Sequence, residues 1–356
     1  MANFFKKLFY TPNYLALPSA GIAIYNRSIK YVEFHNQKGV ISIKSFGEIP
    51  LAPNIIKDGE VLNKDGFGKA LTQVRNKISS DFVRVSVPEE KTYLFDIKIP
   101  NMKTSQIRQA LEFKLEENVP LKADEVFFEY ELIVNKKQSI APTADTSILV
   151  SVSVIPKKII TNLLDVFTAS GITPVAFEIE SRMTARSVVA KRDHRTFMII
   201  DVKDESTVMS LVADNITRFS STIAIGDANL IENLPKGEDT TKKSSPSISD
   251  SDVSASLVGV FSVMKDEVEK FNNYIMSKSQ NENIMLPQAI DKIILCGKSA
   301  SLPGLANHIS QNIDAEVVPA NVWTNILDID DSLPAIRFED SLAYVTSIGL
   351  AMPNNK

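Results

Sequence analysis

Two polar turns in this sequence combine the residue types and the setting that can hold a phosphate group. The first, Tyr25 to Ser28, joins two apolar strands within the stretch GIAIYNRSIKYVEF. The second, Lys203 to Ser206, joins the strands MIIDV and TVMSLV. A tight turn between strands presents backbone N–H groups, hydroxyls and cationic side chains to an anion. Phosphate binding at these turns is therefore the first chemistry to consider.

The composition excludes several other kinds of site. The single cysteine, Cys296, rules out an intramolecular disulfide and a cysteine-based zinc site. The three histidines, His35, His194 and His308, have no second histidine or carboxylate at ligand spacing. The sequence contains no nucleophile elbow, Walker loop or dinucleotide-binding glycine motif. The formal net charge of −4 argues against a nucleic-acid partner, which usually requires a basic surface.

The elements around the two turns repeat along the chain. Alternating apolar residues predict strands at 21–26, 29–35 and 40–47. The same order of strand, turn, strand, hairpin and strand returns between residues 198 and 223, with Asp214-Asn215 as the hairpin turn. Such a repeat indicates duplication of one α/β domain.

The domain organisation follows from this repeat. A block of strand, helix, two strands and helix lies inside the first copy, and the polar stretch PKGEDTTKKSSPSISDSD indicates a flexible loop. The predicted parts are an N-terminal tail at 1–19, a first lobe at 20–88 and 171–195, an inserted α+β subdomain at 89–170, and a second lobe at 196–352 with the flexible loop at 235–252. Helices are predicted, among other places, at 65–78, 103–118, 257–278, 302–313 and 340–351.

A family resemblance joins these features. Gly21 to Lys30 and Met198 to Thr207 resemble the two phosphate loops of the actin-like ATPases, and Ile293 to Leu305 is similar to their adenosine loop. Within that superfamily the chain resembles the PilM family of type IV pilus assembly proteins, related to the division protein FtsA, through ALEFKLEENVPL at 110–121 and SLAYVTSIGL at 341–350. The resemblance implies an α/β, two-lobed actin-like fold, a duplicated ribonuclease H-like unit, with an inserted small α+β subdomain of the SHS2 type.

The resemblance also implies ATP and Mg²⁺ as ligands. No catalytic residue is assigned, and Asp201 is the candidate metal ligand. The candidate nucleotide-binding residues are Asn26, Arg27, Ser28, Lys30, Asp201, Lys203, Ser206, Thr207, Gly226, Gly297, Lys298 and Ser299.

The loops depart from the family pattern at four positions. The family has an aspartate, which helps to hold the hydrated metal, where this chain has Ala23, and a glycine where it has Tyr25; Lys203 and Lys298 also replace glycines. Two interpretations stay open. The cationic side chains can bind phosphate directly, at about 1.5–3 kcal/mol for each hydrogen bond. Alternatively the loops are degenerate, nucleotide binding is weakened, ATP turnover is doubtful, and the chain is a scaffold.

The resemblance implies a protein partner as well. A PilN-like membrane protein would place its cytoplasmic N-terminal tail in a groove beside the insertion, so that this chain is cytoplasmic and peripheral at the inner membrane only through its partner. Expected further contacts are a pilus ATPase and self-association. The alternative interpretation of the groove residues is that they cover their own sheet. The candidate groove residues are Ile107, Leu111, Leu115, Val119, Pro120 and Leu121.

The expected function is therefore an adaptor or scaffold in the inner-membrane assembly platform of a type IV pilus or a type II secretion-like system. The competing expectation is an ATP-hydrolysing enzyme of the actin, Hsp70 or sugar-kinase fold, or an FtsA-like division protein. An enzyme of that kind needs the carboxylate that Ala23 lacks, and only Asp201 and Glu180 remain to hold a metal or orient a water.

Overall fold

The computed structural model describes residues 19–37, 40–133, 147–232, 250–281, 287, 289–326 and 334–353. Residues 1–18 of the predicted tail and most of the predicted 235–252 loop lie outside these ranges. The part of that loop which is described, 250–252, forms the first residues of a helix, so the predicted loop is too long at its end. Within the described ranges, no helix is both long and apolar enough to cross a membrane.

The described ranges form a mixed α/β arrangement of strands and helices. The strands are β1 (Ala20–Ile24), β2 (Ser28–Gln37), β3 (Val40–Pro50), β4 (Ile56–Lys57), β5 (Glu60–Val61), β6 (Phe82–Val87), β7 (Tyr93–Pro100), β8 (Val126–Ile133), β9 (Ser147–Pro156), β10 (Thr173–Ile179), β11 (Thr196–Val202), β12 (Thr207–Ala213), β13 (Ile216–Ile223), β14 (Lys292–Cys296) and β15 (Glu316–Pro319). The helices are α1 (Lys64–Arg75), α2 (Thr104–Asn118), α3 (Lys157–Ala169), α4 (Glu180–Val188), α5 (Asp227–Glu232), α6 (Asp250–Asn281), α7 (Leu305–Ile309), α8 (Phe338–Ser341) and α9 (Val345–Ala351).

Two five-stranded sheets share one topology. The first has the order β3-β2-β1-β6-β10 and the second the order β13-β12-β11-β14-β15. In each sheet the central strand, β1 or β11, is antiparallel to the strand that follows it and parallel to the strand on its other side. Both central strands are buried along their whole length. The duplication predicted from the sequence is confirmed, and it brings the β1–β2 and β11–β12 turns to corresponding positions.

Helices on the first sheet fix the position of β1. Asn63 is the N-cap residue of helix α1, and its side chain accepts a hydrogen bond from the backbone N–H of Gly66 at 2.9 Å. The apolar stripe of this helix packs Phe67 edge-on against Phe167 of α3, with ring centroids 6.1 Å apart. Both rings belong to the core that also contains Ile22 of β1. The packed core below β1 therefore fixes the position of the turn at the end of this strand.

The two lobes meet where α4 and α9 cross. A Cβ atom at Gly349 would lie 2.0 Å from the carbonyl oxygen of Met183, so only glycine permits this approach of the helix backbones. One turn away, the buried hydroxyls of Thr184 and Thr346 lie 3.0 Å apart. This close crossing sets the position of one phosphate-loop turn relative to the other.

The inserted subdomain is a three-stranded antiparallel sheet with helix α2 on one face. Its strand order is β7-β9-β8, so both β7 and β8 are edge strands. The helix contributes Ile107, Leu111 and Leu115 to a core shared with Val150 and Val152 of the central strand. The central strand β9 is buried on both faces over six consecutive residues.

Two predicted helices of the second lobe differ from those observed, and one observed strand was not predicted. The helix predicted at 302–313 begins only at Leu305, because Gly304 before it has a φ of 87° and so cannot continue a right-handed helix. The helix predicted at 340–351 is interrupted by a 3₁₀ turn at Leu342–Tyr344. The edge strand β15 was not predicted, since its four residues carry no clear alternation.

Candidate functional site

The β1–β2 and β11–β12 turns contact each other directly across the lobes. The hydroxyl of Ser28 donates to Asp204 Oδ2 at 3.1 Å, and Asn26 Nδ2 donates to Glu205 Oε2 at 3.4 Å. Lys30 Nζ lies 4.0 Å from Asp204 Oδ1. The amide, hydroxyl and ammonium groups predicted to hold a phosphate therefore face carboxylates of the second turn.

Tyr25 fills the space behind these contacts. Its ring is buried in an apolar cluster with Ala23 and Met183, and two ammonium groups flank it. Lys30 Nζ lies 4.8 Å and Lys203 Nζ 5.6 Å from the ring centroid, within the range of cation–π attraction. Burial, followed by nearby carboxylates, raises the pKa of the Tyr25 phenol well above its usual value, so the phenol stays neutral.

Lys203 forms a buried ion pair with Glu180, the first residue of α4. The side chains are only 6% and 2% exposed, respectively. Burial alone would lower the pKa of Lys203, but the carboxylates of Glu180, Glu90 and Asp201 raise it above its usual value, so the ammonium group is charged. Burial raises the pKa of Glu180 to about 8, against the opposing effect of the Lys203 ammonium group. This pair joins the first lobe to the second.

Asp201, the predicted metal ligand, is buried at the end of β11. Burial raises the pKa of its carboxyl group, while the ammonium groups of Lys203 and Lys30 act in the opposite direction. In the part of the chain that the structure describes, no three His, Cys, Asp or Glu side chains come together in a way that could hold a metal ion. Asp201 thus lies beside cations and belongs to no group of three such ligands among the described residues.

The two glycines that the nucleotide loops retain are required by contacts within the second lobe. A Cβ atom at Gly226 would lie 2.6 Å from the carbonyl oxygen of Lys203. At Gly297, which has a φ of 95°, a Cβ atom would lie 1.9 Å from the carbonyl oxygen of Val202. The backbone therefore already occupies the space that these glycines leave open.

The remaining predicted residues also have partners within the protein. Lys298 Nζ donates across the lobes to Glu48 Oε2 on β3 at 3.1 Å. Arg27 Nε lies 3.7 Å from Glu205 Oε1, and the Ser206 hydroxyl donates to Glu90 Oε1 at 3.3 Å. The Thr207 hydroxyl donates to the carbonyl oxygen of Ile225 at 2.6 Å, and Ser299 hydrogen-bonds Asp227. Each of these five side chains thus has a partner within the protein.

ATP and Mg²⁺ do not fit this arrangement. The space enclosed between the two turns measures about 20 Å³, which is room for about one water molecule. Lys30, Lys203 and Lys298, the cations closest to the expected phosphate position, are each paired with a carboxylate. Of the acidic groups expected to hold the metal, only Asp201 is present, because Ala23 has no carboxylate.

One carboxylate beside this region has an unusual environment that sequence reasoning missed. Asp227, at the start of α5, is 4% exposed, and its Oδ1 atom accepts no hydrogen bond from the described residues. Burial raises the pKa of Asp227 to about 6. The hydrogen bond from the Ser299 hydroxyl and the ammonium groups of Lys30 and Lys298 lower this pKa but do not cancel the effect of burial. The carboxyl group therefore binds a proton more tightly in the folded chain than in the unfolded chain.

This raised pKa predicts how stability depends on pH. A carboxyl group with a raised folded-state pKa stabilises the fold at low pH, and that contribution is lost as the pH rises from about 4 to about 6. Asp227→Asn should match the wild type near pH 4 and exceed it by about 2–3 kcal/mol near pH 7 in urea unfolding. Asp165→Asn, at an exposed position of α3, is the control and should show no such pH dependence. A pH-independent difference for Asp227→Asn contradicts the prediction.

A second candidate site is a groove between the inserted subdomain and the first lobe. It has a volume of about 360 Å³ and lies between β8 and β10, which are both edge strands of their sheets. Its apolar lining residues are Phe127, Phe128, Ile155, Ile160, Phe177 and Ile179, and its polar ones are Arg108, Ser153, Glu129, Glu178 and Arg182.

The groove residues predicted from the sequence are not the ones that line this groove. The side chains of Ile107, Leu111, Leu115 and Val119 are buried in the core of the inserted subdomain, so the prediction that they form a partner surface was wrong. Leu121 packs partly against the same core, and Pro120 is exposed away from the groove lining. The alternative interpretation, a helix that covers its own sheet, accounts for the apolar stripe.

One signal in the sequence points to the groove that is observed. In β8, side chains alternate between the core and the outside, and Phe127 falls on the outer face with Glu129 and Glu131. A phenylalanine among outward-facing glutamates is unexpected for a solvated strand face.

Comparisons with known proteins agree on family and fold. The family profile described as "Type IV pilus assembly protein PilM" matches residues 21–355. A solved structure of a "PilM-PilN type IV pilus biogenesis complex" contains a chain that is 16% identical, with a TM-score of 0.72, and the match covers 94% of this chain and 98% of that chain. The ethanolamine utilization protein EutJ from Carboxydothermus hydrogenoformans is 12% identical, with a TM-score of 0.50 and coverage of 98% and 96%. These likenesses confirm the predicted actin-like fold.

Proposed function

This chain belongs to the family of the type IV pilus assembly protein PilM, and on that premise we propose that it is an adaptor that binds a short, extended peptide of a PilN-like membrane protein. The groove between β8 and β10 is the observation that carries this proposal. The similar solved structure is described as a complex of PilM with PilN, which supports the choice of partner.

The backbone at the groove suits an extended peptide. Among the described strands, β8 pairs only with β9, and β10 only with β6, so each presents one edge of backbone N–H and C=O groups to the groove. A peptide that adds as a strand to either edge gains backbone hydrogen bonds, while apolar pockets select its alternate side chains. The groove thus provides both parts of a strand-addition site.

The side chains define the chemistry of that peptide. Phe127 is 51% exposed, although it is a large apolar residue, and lies with Phe177 on the groove lining. Arg108 lies over the ring of Phe128, with its guanidinium carbon 4.4 Å from the centroid, and Arg182 pairs with Glu131 at the β8 edge. A segment with apolar residues at alternate positions would cover the exposed aromatic surface and leave these charged groups at its rim.

The cellular setting follows from the same proposal. We place the chain at the cytoplasmic face of the inner membrane, attached through its partner, within a type IV pilus or type II secretion-like platform. Contacts with a pilus ATPase and with further copies of this chain remain proposals. Weakened nucleotide binding is supported by the poor fit of ATP to the region between the turns. That poor fit favours an adaptor over an ATP-hydrolysing enzyme.

A titration with a labelled peptide tests the proposal. The peptide is the cytoplasmic N-terminal tail of the PilN-like protein from the same organism, followed by fluorescence anisotropy. We expect Phe127→Asp to weaken binding by roughly tenfold or more, because it places a charge on the apolar groove lining. Phe113→Asp is the matched control, since Phe113 is also an exposed phenylalanine of the inserted subdomain but lies outside the groove.

The outcomes show whether the peptide binds in the groove, at Phe127, or elsewhere on the inserted subdomain. The control should bind the peptide with wild-type affinity. Equal affinities for the wild type and Phe127→Asp, with circular dichroism showing both folded, would exclude the groove as the peptide site. Absence of binding by the wild type would exclude this partner.

A further inference from the structure

We infer that this protein does not use Mg·ATP to join its two lobes, because its own side chains fill the phosphate position and connect the lobes there. We call this set of contacts the interlobe clasp. The first lobe contributes Tyr25, Asn26, Ser28, Lys30, Glu48 and Glu180, and the second contributes Lys203, Asp204, Glu205 and Lys298.

The first argument is steric. Backbone N–H groups of a phosphate loop can approach an anion only where no side chain intervenes. In this chain Tyr25 occupies the turn itself, and its ring packs with Ala23, Met183 and Leu350. With about 20 Å³ left between the turns, a triphosphate requires Tyr25 to leave its apolar cluster. The phenol would then lose two flanking ammonium groups as well.

The second argument is electrostatic. The three ammonium groups nearest the cleft are already neutralised from the other lobe: Lys203 by Glu180, Lys30 by Asp204 and Lys298 by Glu48. A phosphate would have to displace these carboxylates, and at the buried Lys203 pair this leaves an uncompensated charge. The larger space of about 700 Å³ beside the turns offers no alternative, since its charged lining residues are Asp58, Glu89, Glu90 and Glu205. Four carboxylates repel a polyanion.

The third argument concerns what the contacts connect. The two turns that resemble phosphate loops lie in different lobes, so a nucleotide held by both would bridge the lobes. In this chain the second turn supplies acceptors instead, since Asp204 and Glu205 receive the hydrogen bonds of Ser28 and Asn26. The bridge is therefore made without a ligand, and the lobes have no need of one to stay together.

Calorimetry and thermal unfolding of the full-length protein with ATP, with and without Mg²⁺, test this inference. A site with a Kd of about 50 µM would be saturated about 100-fold at about 5 mM ATP and would raise the Tm by about 3–4 °C. We expect no saturable heat and a Tm shift below about 1 °C. One-to-one binding with a Kd below about 100 µM would overturn the inference. So would protection of amides at 25–28 and 203–207 from hydrogen exchange on addition of ATP.

A variant that restores the family pattern provides the converse test. Ala23→Asp, Tyr25→Gly and Lys203→Gly in one chain return the acid and two glycines, and the variant should bind Mg·ATP at least about tenfold more tightly than the wild type. A folded variant with no gain would show that these side chains do not exclude the nucleotide. If the variant does not fold, the wild-type measurements decide. The clasp and the peptide groove share no lining residue, so peptide titration of the same samples distinguishes failure at one from failure at the other.

Discussion

Lys203→Met is expected to lower the free energy of unfolding by about 3–5 kcal/mol, because it leaves the buried carboxyl group of Glu180 without its counter-ion. The backbone N–H of Glu89 donates to Glu180 Oε2 at 3.4 Å, but this single hydrogen bond replaces little of the lost charge interaction. Urea unfolding followed by circular dichroism near pH 9, above the pKa of about 8 at which Glu180 ionises in the wild type, measures the loss. Lys298→Met is the matched control: it breaks a more exposed interlobe pair with Glu48 and should cost no more than about 1 kcal/mol.

The loss in Lys203→Met should depend on pH in a defined direction. Burial already raises the pKa of Glu180 to about 8 in the presence of the ammonium group, and removing that group raises it further. A carboxyl group with a raised folded-state pKa stabilises the fold below its unfolded value of about 4.5, and the contribution is lost as the pH rises. Between about pH 5 and pH 7 Glu180 is protonated in both folded proteins, so the deficit of Lys203→Met should be steady there and should grow above about pH 8, where only the wild type ionises this group.

A double variant separates the effect of the buried charges on stability from the effect of side-chain size. Glu180→Leu with Lys203→Met replaces both buried charges by apolar groups and should recover most of the lost stability. Equal destabilisation by Lys203→Met and Lys298→Met would contradict the view that the buried pair is the strong contact of the clasp.

The fold was largely predictable, because it rests on short-range patterns. Apolar alternation locates the strands of each copy, and Asp214-Asn215, both with positive φ, form the predicted hairpin turn between β12 and β13. The repeat then indicates two similar lobes before any contact is known. Only elements with weak local signals, such as β15 and the two-residue strands β4 and β5, were missed.

The candidate site was predictable only in part. Its residues were located by their loops, but their partners were not, because Ser28 and Asp204 are 176 positions apart in the sequence. One sequence signal was available: the first turn carries Arg27 and Lys30, and the second carries Asp204 and Glu205. Opposite charges on two turns that a duplicated fold brings together indicate that the turns bind each other.

The peptide groove could not be derived in the same way. The apolar stripe of α2 was a correct prediction of burial but gave the wrong surface, since a stripe does not show which element covers it. The groove exists because β8 and β10 are both edge strands and lie side by side, which follows from the order of strands in two different sheets. That order is a tertiary property, and the one local signal, Phe127 among the outward-facing glutamates of β8, does not show which strand lies beside it.

The second large effect is expected at the contact between the inserted subdomain and the second lobe. Arg218 on β13 and Asp96 on β7 form an ion pair whose side chains are each 3% exposed, with Arg218 Nε donating to Asp96 Oδ2 at 2.7 Å. Burial raises the pKa of Asp96, although the Arg218 guanidinium group acts against it. The Ser151 hydroxyl, donating to the carbonyl oxygen of Thr217 at 3.3 Å, is a neighbouring link between the same two parts.

Arg218→Met should lower the free energy of unfolding by about 3–5 kcal/mol and loosen this contact, because Asp96 then remains buried without a counter-ion. Hydrogen exchange should report the change as faster exchange along β7 and β13, while α1 and α3 of the first lobe keep their protection. Arg195→Met, which removes an exposed pair with Asp193, is the control and should cost no more than about 1 kcal/mol. Unchanged exchange along β7 in Arg218→Met would mean that other contacts hold the subdomain to the second lobe.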